Sequence, residues 1–136
     1  MPLINVDFYM SSDSVDPDTI TSILDLKPTK IRKKEEWPLA SIKAGMACNL
    51  WVLSTEQKTS QSVDGMCKNI IDKLIGKGEL LQSLQKEYDL DLHFEVVIHM
   101  NSTKTPAIYL ERESIKFLAT INADIGFDIY SYEEDA

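Results

Sequence analysis

The sequence predicts an α+β domain: an antiparallel or mixed β-sheet of about five strands with helices mainly on one face, and a ferredoxin-like variant is one topology this allows. Three observations carry the prediction. Apolar and polar residues alternate near both ends of the chain and again over residues 91–100, which is the period of a half-buried strand. Between these segments the apolar spacing switches to the helical period. Strands and helices interleave with no linker or repeat between them, so all 136 residues read as one domain.

Ile4, Val6, Phe8 and Met10 point one way and Asn5, Asp7 and Tyr9 the other, giving an opening strand with one buried side. In DSVDPDTITSILDLKP, Asp16 is a good N-cap, Pro17 suits the first helical position and Asp18 complements the dipole of the first turn. Ile20, Ile23 and Leu24 supply the apolar stripe, and Pro28 forces the helix to end by Lys27. Residues 46–56, MACNLWVLSTE, are apolar on both sides at their centre, with Leu50 and Val52 opposed to Trp51 and Leu53. Such a strand belongs inside a sheet, with helices or a long loop over its second face.

From Ser62 the stripe Val63, Met66, Cys67, Ile70, Ile71 and Leu74 predicts a helix. The Gly76-Lys77-Gly78 break interrupts it, two glycines costing on the order of 2 kcal/mol against alanine. A shorter helix follows from Glu79 to Tyr88. Leu92, Phe94, Val96, Ile98 and Met100 then face the core from a second long strand, and a short strand is predicted around Pro106–Leu110. Leu110, Ser114, Phe117, Leu118 and Ile121 fit a last helix, which Asn122–Asp124 stops. The closing strand turns Ile125, Phe127 and Ile129 inward and Tyr130 and Tyr132 outward.

Composition narrows the function classes. The chain has 22 acidic and 14 basic residues, a net charge of −8 and a pI near 4.7, so phosphate repulsion argues against nucleic acid as a partner. The same acidity suits a basic protein partner. Met1-Pro2-Leu3 runs at once into the first strand, so no signal peptide is expected, and no apolar run is long enough to span a membrane. A cytoplasmic location follows as an expectation. Cys48 and Cys67 have no CxxC grouping and read as reduced, small apolar residues.

Phosphate-binding glycine loops, nucleophile elbows and metal-binding signatures are all missing, so no catalytic residue, metal or cofactor is expected. His93, Glu95 and His99 share one face of the second long strand. His93 and His99 would stand roughly 20 Å apart, too far for one metal. His93 and Glu95 are close enough to form an acid–base pair at the edge of a cleft, although a polar strand face, exposed or lightly covered, is the simpler account of them. The run KPTKIRKKEEWP places five of the 14 basic residues within eight positions. It lacks glycine, follows a helix C-terminus that Lys27 and Lys30 would complement, and is offset by Glu35 and Glu36. It reads first as a solvated edge, lysine on an edge being a guard against aggregation. A partner or ligand role there would fall on Arg32, Lys34 and Trp37.

FYMSSDSVDPDTITSILDLKPT, LWVLSTE, the helical segment from Ser62 to Tyr88 and the closing FLATINADIGFDIYSY together resemble the bacterial family of domains of unknown function numbered 4279. The resemblance implies a bacterial, cytosolic α+β domain and transfers no activity or functional residue. Two functional readings remain. One is a non-enzymatic protein-binding module, in its most concrete form an immunity-type inhibitor of a basic partner. The alternative is a small-ligand or enzymatic domain with a pocket near Trp51 and His93 and Glu95 at its rim. A homodimer through a sheet edge or through the Tyr130/Tyr132 face is a further expectation.

Overall fold

The computed structural model describes residues 2–133. Its framework is a mixed sheet in the order β2-β3-β1-β5-β6, with β4 pairing beside β3 on the same side of β1. The strands are β1 (Leu3–Ser12), β2 (Lys30–Arg32), β3 (Asn49–Ser54), β4 (Lys58–Thr59), β5 (Asp91–Asn101) and β6 (Asp124–Tyr132). Four longer helices, α1 (Pro17–Leu24), α3 (Val63–Leu74), α4 (Gly78–Tyr88) and α5 (Arg112–Thr120), accompany them, together with a five-residue α2 (Leu39–Lys43). All strand pairings are antiparallel except β5 with β6, which α5 connects as a parallel βαβ unit.

Alternation decides which side of the sheet is covered. Ile4, Val6, Phe8 and Met10 of β1 are fully buried and join Leu92, Phe94, Val96 and Ile98 of β5 in one apolar cluster with residues of all four longer helices. Phe8 and Phe94 stand opposite each other with ring centroids 4.9 Å apart. The opposite residues of these strands belong to no such cluster. The four longer helices therefore form one layer, and none of their residues in the cluster meets the second side of the sheet.

The local rules hold where caps are explicit. Asp16 accepts the Asp18 N–H at 2.9 Å to start α1, and the Ser62 hydroxyl accepts the Gly65 N–H at 3.0 Å to start α3. The end of α1 falls within the limit that Pro28 sets, but the cation bonded there is not the expected one. It stops at Leu24, with Asp25 left-handed at φ 50°, and the ammonium group of Lys77 donates to the Leu24 carbonyl at 2.6 Å. The cation at the negative helix end thus comes from the Gly76-Lys77-Gly78 break, not from Lys27 or Lys30.

Four further differences have physical reasons. The predicted strand around Pro106–Leu110 is reduced to a single bridge between Ala107 and Ser62, since Pro106 has no N–H for a ladder. The basic run forms only the three-residue β2 before a 3₁₀ turn at Lys34–Glu36. Two short elements, α2 and β4, carried no period long enough to read. Phe127 and Ile129 point to the helix side, yet they remain 41% and 45% exposed because β6 lies at the rim of the sheet.

Candidate functional site

The uncovered side of the sheet can be read across the strands by register. One row runs Lys30, Val52, Tyr9, His93, Asp124, and the next runs Ser54, Asp7, Glu95, Gly126. Further along, Val97 stands beside Asp128, His99 beside Tyr130 and Asn101 beside Tyr132. Asp7, Asp91, Glu95, Asp124 and Asp128 place five carboxylates on this face, and Lys30 and Arg32 add cations at its edge strand β2. Val52 is buried on this face, and by register it lies between Tyr9 and Lys30.

His93 is the centre of the acidic half. Its Nε2 lies 2.9 Å from Glu95 Oε1 and its Nδ1 2.5 Å from Asp124 Oδ1. A neutral imidazole carries one N–H, whereas both neighbours are acceptors, so only the protonated ring satisfies both contacts. Partial burial of the ring works against the charge. The two carboxylates outweigh it, and His93 titrates above the ordinary histidine value. The Tyr9 ring lies 6.5 Å from the imidazole, centroid to centroid. Burial first, and then the nearby Asp7 and Glu95 carboxylates, raise the Tyr9 phenol above its usual value.

Gly126 explains how the pair lies flat on β6. A Cβ at this position would sit 2.5 Å from Glu95 Oε1 and 3.2 Å from His93 Cε1. The glycine is the floor on which the Glu95–His93 contact rests. A second cluster stands toward the other end of β5. His99 is parallel to the Tyr130 and Tyr132 rings, at centroid distances of 4.8 and 5.9 Å, and its Nδ1 lies 2.9 Å from the Tyr132 hydroxyl. The Tyr130 hydroxyl donates to Asp128 at 3.0 Å. A shallow depression of about 210 Å³ opens beside Tyr132 and His99, rimmed by Leu3 and Lys104.

The structure therefore brings His93 and Glu95 together, and places Tyr130 and Tyr132 on the same side of the sheet. Trp51 is separated from them. It is fully buried on the helix side, where its indole N–H donates to the Thr21 hydroxyl at 3.0 Å. No pocket can join Trp51 to His93 and Glu95, because they lie on opposite sides of the sheet. The basic run has its own partners. Lys33 pairs with Asp16 and Asp18, Lys34 with Asp13 at 3.6 Å, and the Arg32 guanidinium stacks 4.6 Å above the Trp37 ring. The Trp37 indole is in turn fixed by donating to the Cys48 carbonyl at 2.7 Å. Lys33 and Lys34 thus have acidic partners nearby, whereas the Arg32 guanidinium rests on the Trp37 ring.

Asp124, Gly126, Asp7 and Tyr9 were not singled out from sequence. Gly126 interrupting an otherwise apolar-alternating strand was the available signal, since glycine inside a strand marks a close approach. Asp64 was also missed. This carboxylate is 3% exposed and accepts the Glu111 N–H at 3.0 Å and the Ser114 hydroxyl at 2.8 Å, with the Lys68 ammonium 3.2 Å away. It caps the start of α5 from within α3. Nearby, burial first and then the Asp64 charge push the Cys67 thiol up to about 12, so it is inert; both cysteines are free. Among the described residues, no group of three or more His, Cys, Asp or Glu side chains is arranged to hold a metal ion, and no helix is long and apolar enough to cross a membrane.

An open mixed sheet layered on one side by helices, with an acidic and aromatic second side, defines a small α+β protein with an exposed sheet face. The chain belongs to the family described as Domain of unknown function (DUF4279), which matches residues 2–132. No curated protein and no solved structure matches it.

Proposed function

We propose that the protein is a non-enzymatic binding module whose uncovered sheet face receives a basic protein, in the manner of an immunity-type inhibitor. The observation that carries this reading is the face itself. It presents five carboxylates with Tyr9, Tyr130 and Tyr132 between them, on strands held rigid by the core beneath. Complementary charge accelerates encounter and excludes acidic competitors, while tyrosines offer apolar area with few rotamers to freeze. The histidine geometry suits a binding face. Both nitrogens of His93 meet carboxylates, so the protonated ring ties β5 to β6 and supports the shape of the face.

The test is affinity capture from the host lysate at low and high salt, read by mass spectrometry, with variants as internal controls. One dominant basic protein is expected at low salt and lost at high salt. Glu95→Lys and Asp128→Lys should abolish its capture, whereas Glu79→Lys on the helix layer should retain it. For the immunity-type form, that protein should be the toxic product of an adjacent gene. Capture unaffected by salt and by both open-face reversals would overturn the reading, as would finding no basic protein at all.

A further inference from the structure

The two ends of the sheet are finished differently. At the β2 end the edge strand is three residues long and carries Lys30 and Arg32. At the β6 end it is nine residues long, Asp124–Tyr132, with no lysine, arginine or proline, and it pairs with β5 alone among the described residues. An edge of that length with a free row of backbone donors and acceptors is a template for another strand unless something covers it. Its helix-side residues strengthen the point, since Phe127 is 41% and Ile129 45% exposed.

We propose that β6 pairs antiparallel with β6 of a second copy of this chain, centred on Phe127, so that two sheets join into one across a twofold axis. The sequence of the strand selects both the occupant and the register. Directly opposed residues in an antiparallel pair project to the same side, so helix-side residues must meet helix-side residues and the axis must pass through a residue. Centring on Phe127 opposes Phe127 to its own copy and Ile125 to Ile129 of the second copy, an unbroken apolar row on the helix side. On the other side it sets Asp124 against Tyr130 and Gly126 against Asp128, with no like charges opposed.

The neighbouring registers are worse. Centring on Asp128 opposes two carboxylates directly, and like charges in that position destabilise the pair. Centring on Ile129 sets Phe127 against Ser131, and centring on Gly126 opposes Asp124 to Asp128 twice. The strand DIGFDIY is therefore complementary to itself in one register.

A second feature accepts the same partner. Beside Ile125 on the helix side lies an apolar groove of about 250 Å³, lined by Leu110, Ile115, Leu118 and Ile125 among others. Ile129 of the second copy, opposite Ile125, reaches the mouth of that groove. The helix layers then lie on one side of the joined sheet and the two acidic faces side by side on the other. The face proposed above for a basic partner stays open and is doubled.

Charge gives the dimer its own signature. Each copy carries −8, so repulsion opposes association and salt relieves it. Dimerisation should strengthen with ionic strength, opposite in sign to capture of a basic protein, so either proposal can fail without the other.

The experiment is light scattering and sedimentation of the full chain across a dilution series at low and high salt. The expected mass is twice the 15.4 kDa of one chain, with the dimer persisting to lower concentration at high salt. Phe127→Lys should give the monomer mass with an unchanged circular dichroism spectrum, because it opposes two cations at the axis on an exposed position. Register is read by oxidative cross-linking in a Cys48→Ser background. Phe127→Cys should link two chains, since residues at the axis lie within disulfide reach, whereas Asp128→Cys should not. A monomer at every concentration and salt, a dimer that survives Phe127→Lys, or cross-linking of Asp128→Cys as readily as Phe127→Cys would each overturn the proposal.

Discussion

Asp64 and His93 each gather opposite charges, and they differ above all in burial. The Asp64 side chain is 4% exposed and enclosed by α3 and α5, whereas His93 is 33% exposed and Asp124, its partner, 72%. At Asp64 the donors are a backbone N–H, the buried Ser114 hydroxyl and the more exposed Lys68 ammonium group. At His93 the partners lie on a strand surface that water reaches. The same kind of chemistry therefore holds the fold together in one place and remains available to a partner in the other. Burial makes a lost partner expensive, and solvent makes it cheap.

Asp64→Ala tests the buried side and should have the largest effect. It leaves the Glu111 N–H and the Ser114 hydroxyl without their acceptor, at a cost of about 3 kcal/mol, measurable by urea denaturation. The pH dependence sharpens the assignment. Burial alone would raise the Asp64 pKa, but the Glu111 N–H, Ser114 and Lys68 together hold it below the ordinary aspartate value. A carboxyl depressed in the folded state contributes stability that is present above its unfolded pKa, near 3.8, and is lost as pH falls through the lower folded value. Asp64→Asn should remove that acid-limb loss.

His93→Gln comes next and acts at the other end of the pH scale. The His93 pKa is raised in the folded protein, so its contribution is complete below the unfolded value of 6.5 and disappears as pH rises through the folded one. Wild type should therefore lose a small increment of stability between weakly acidic and alkaline pH, and the variant should not. An exposed pair limits that increment to about 1 kcal/mol or less. Gly126→Ala should have the smallest effect on stability, because the atom it meets is the far end of the Glu95 side chain. Its readout is the His93 titration by NMR, which should move down toward the ordinary histidine value as Glu95 is displaced. An unchanged titration would show that the glycine floor does not set the pair.

Much of the fold was legible because alternation and helical spacing are local. The buried sides of β1 and β5, the caps at Asp16 and Ser62, and the break after Leu74 all follow from neighbours within a few residues. The candidate face was legible only in part. His93, Glu95, Tyr130 and Tyr132 could be assigned to outward strand faces, but Asp124 comes to His93 only through the parallel register of β5 with β6. Trp51 was misplaced beside His93 because its strand is apolar on both sides, so alternation could not say which side the helices cover. Asp64 lay unseen within a helix, since its partners, Glu111 and Ser114, are 47 and 50 positions away.

The place of β1 in the sheet has a consequence for synthesis. Of the described strands β1 is made first and lies at the centre of the sheet, and its longest neighbour, β5, is made much later. Phe8 meets Leu53 of β3, while Ser11 and Leu3 wait for Asp91 and His99 of β5, 80 and 96 positions further on. A chain emerging from the ribosome must hold Ile4, Val6, Phe8 and Met10 without their main partner until residues 91–99 have been translated. Folding dominated by such distant pairings is slow. During that interval β1 is a sticky segment of the nascent domain, and a ribosome stalled in α4 would release a fragment with this hydrophobic strand uncovered.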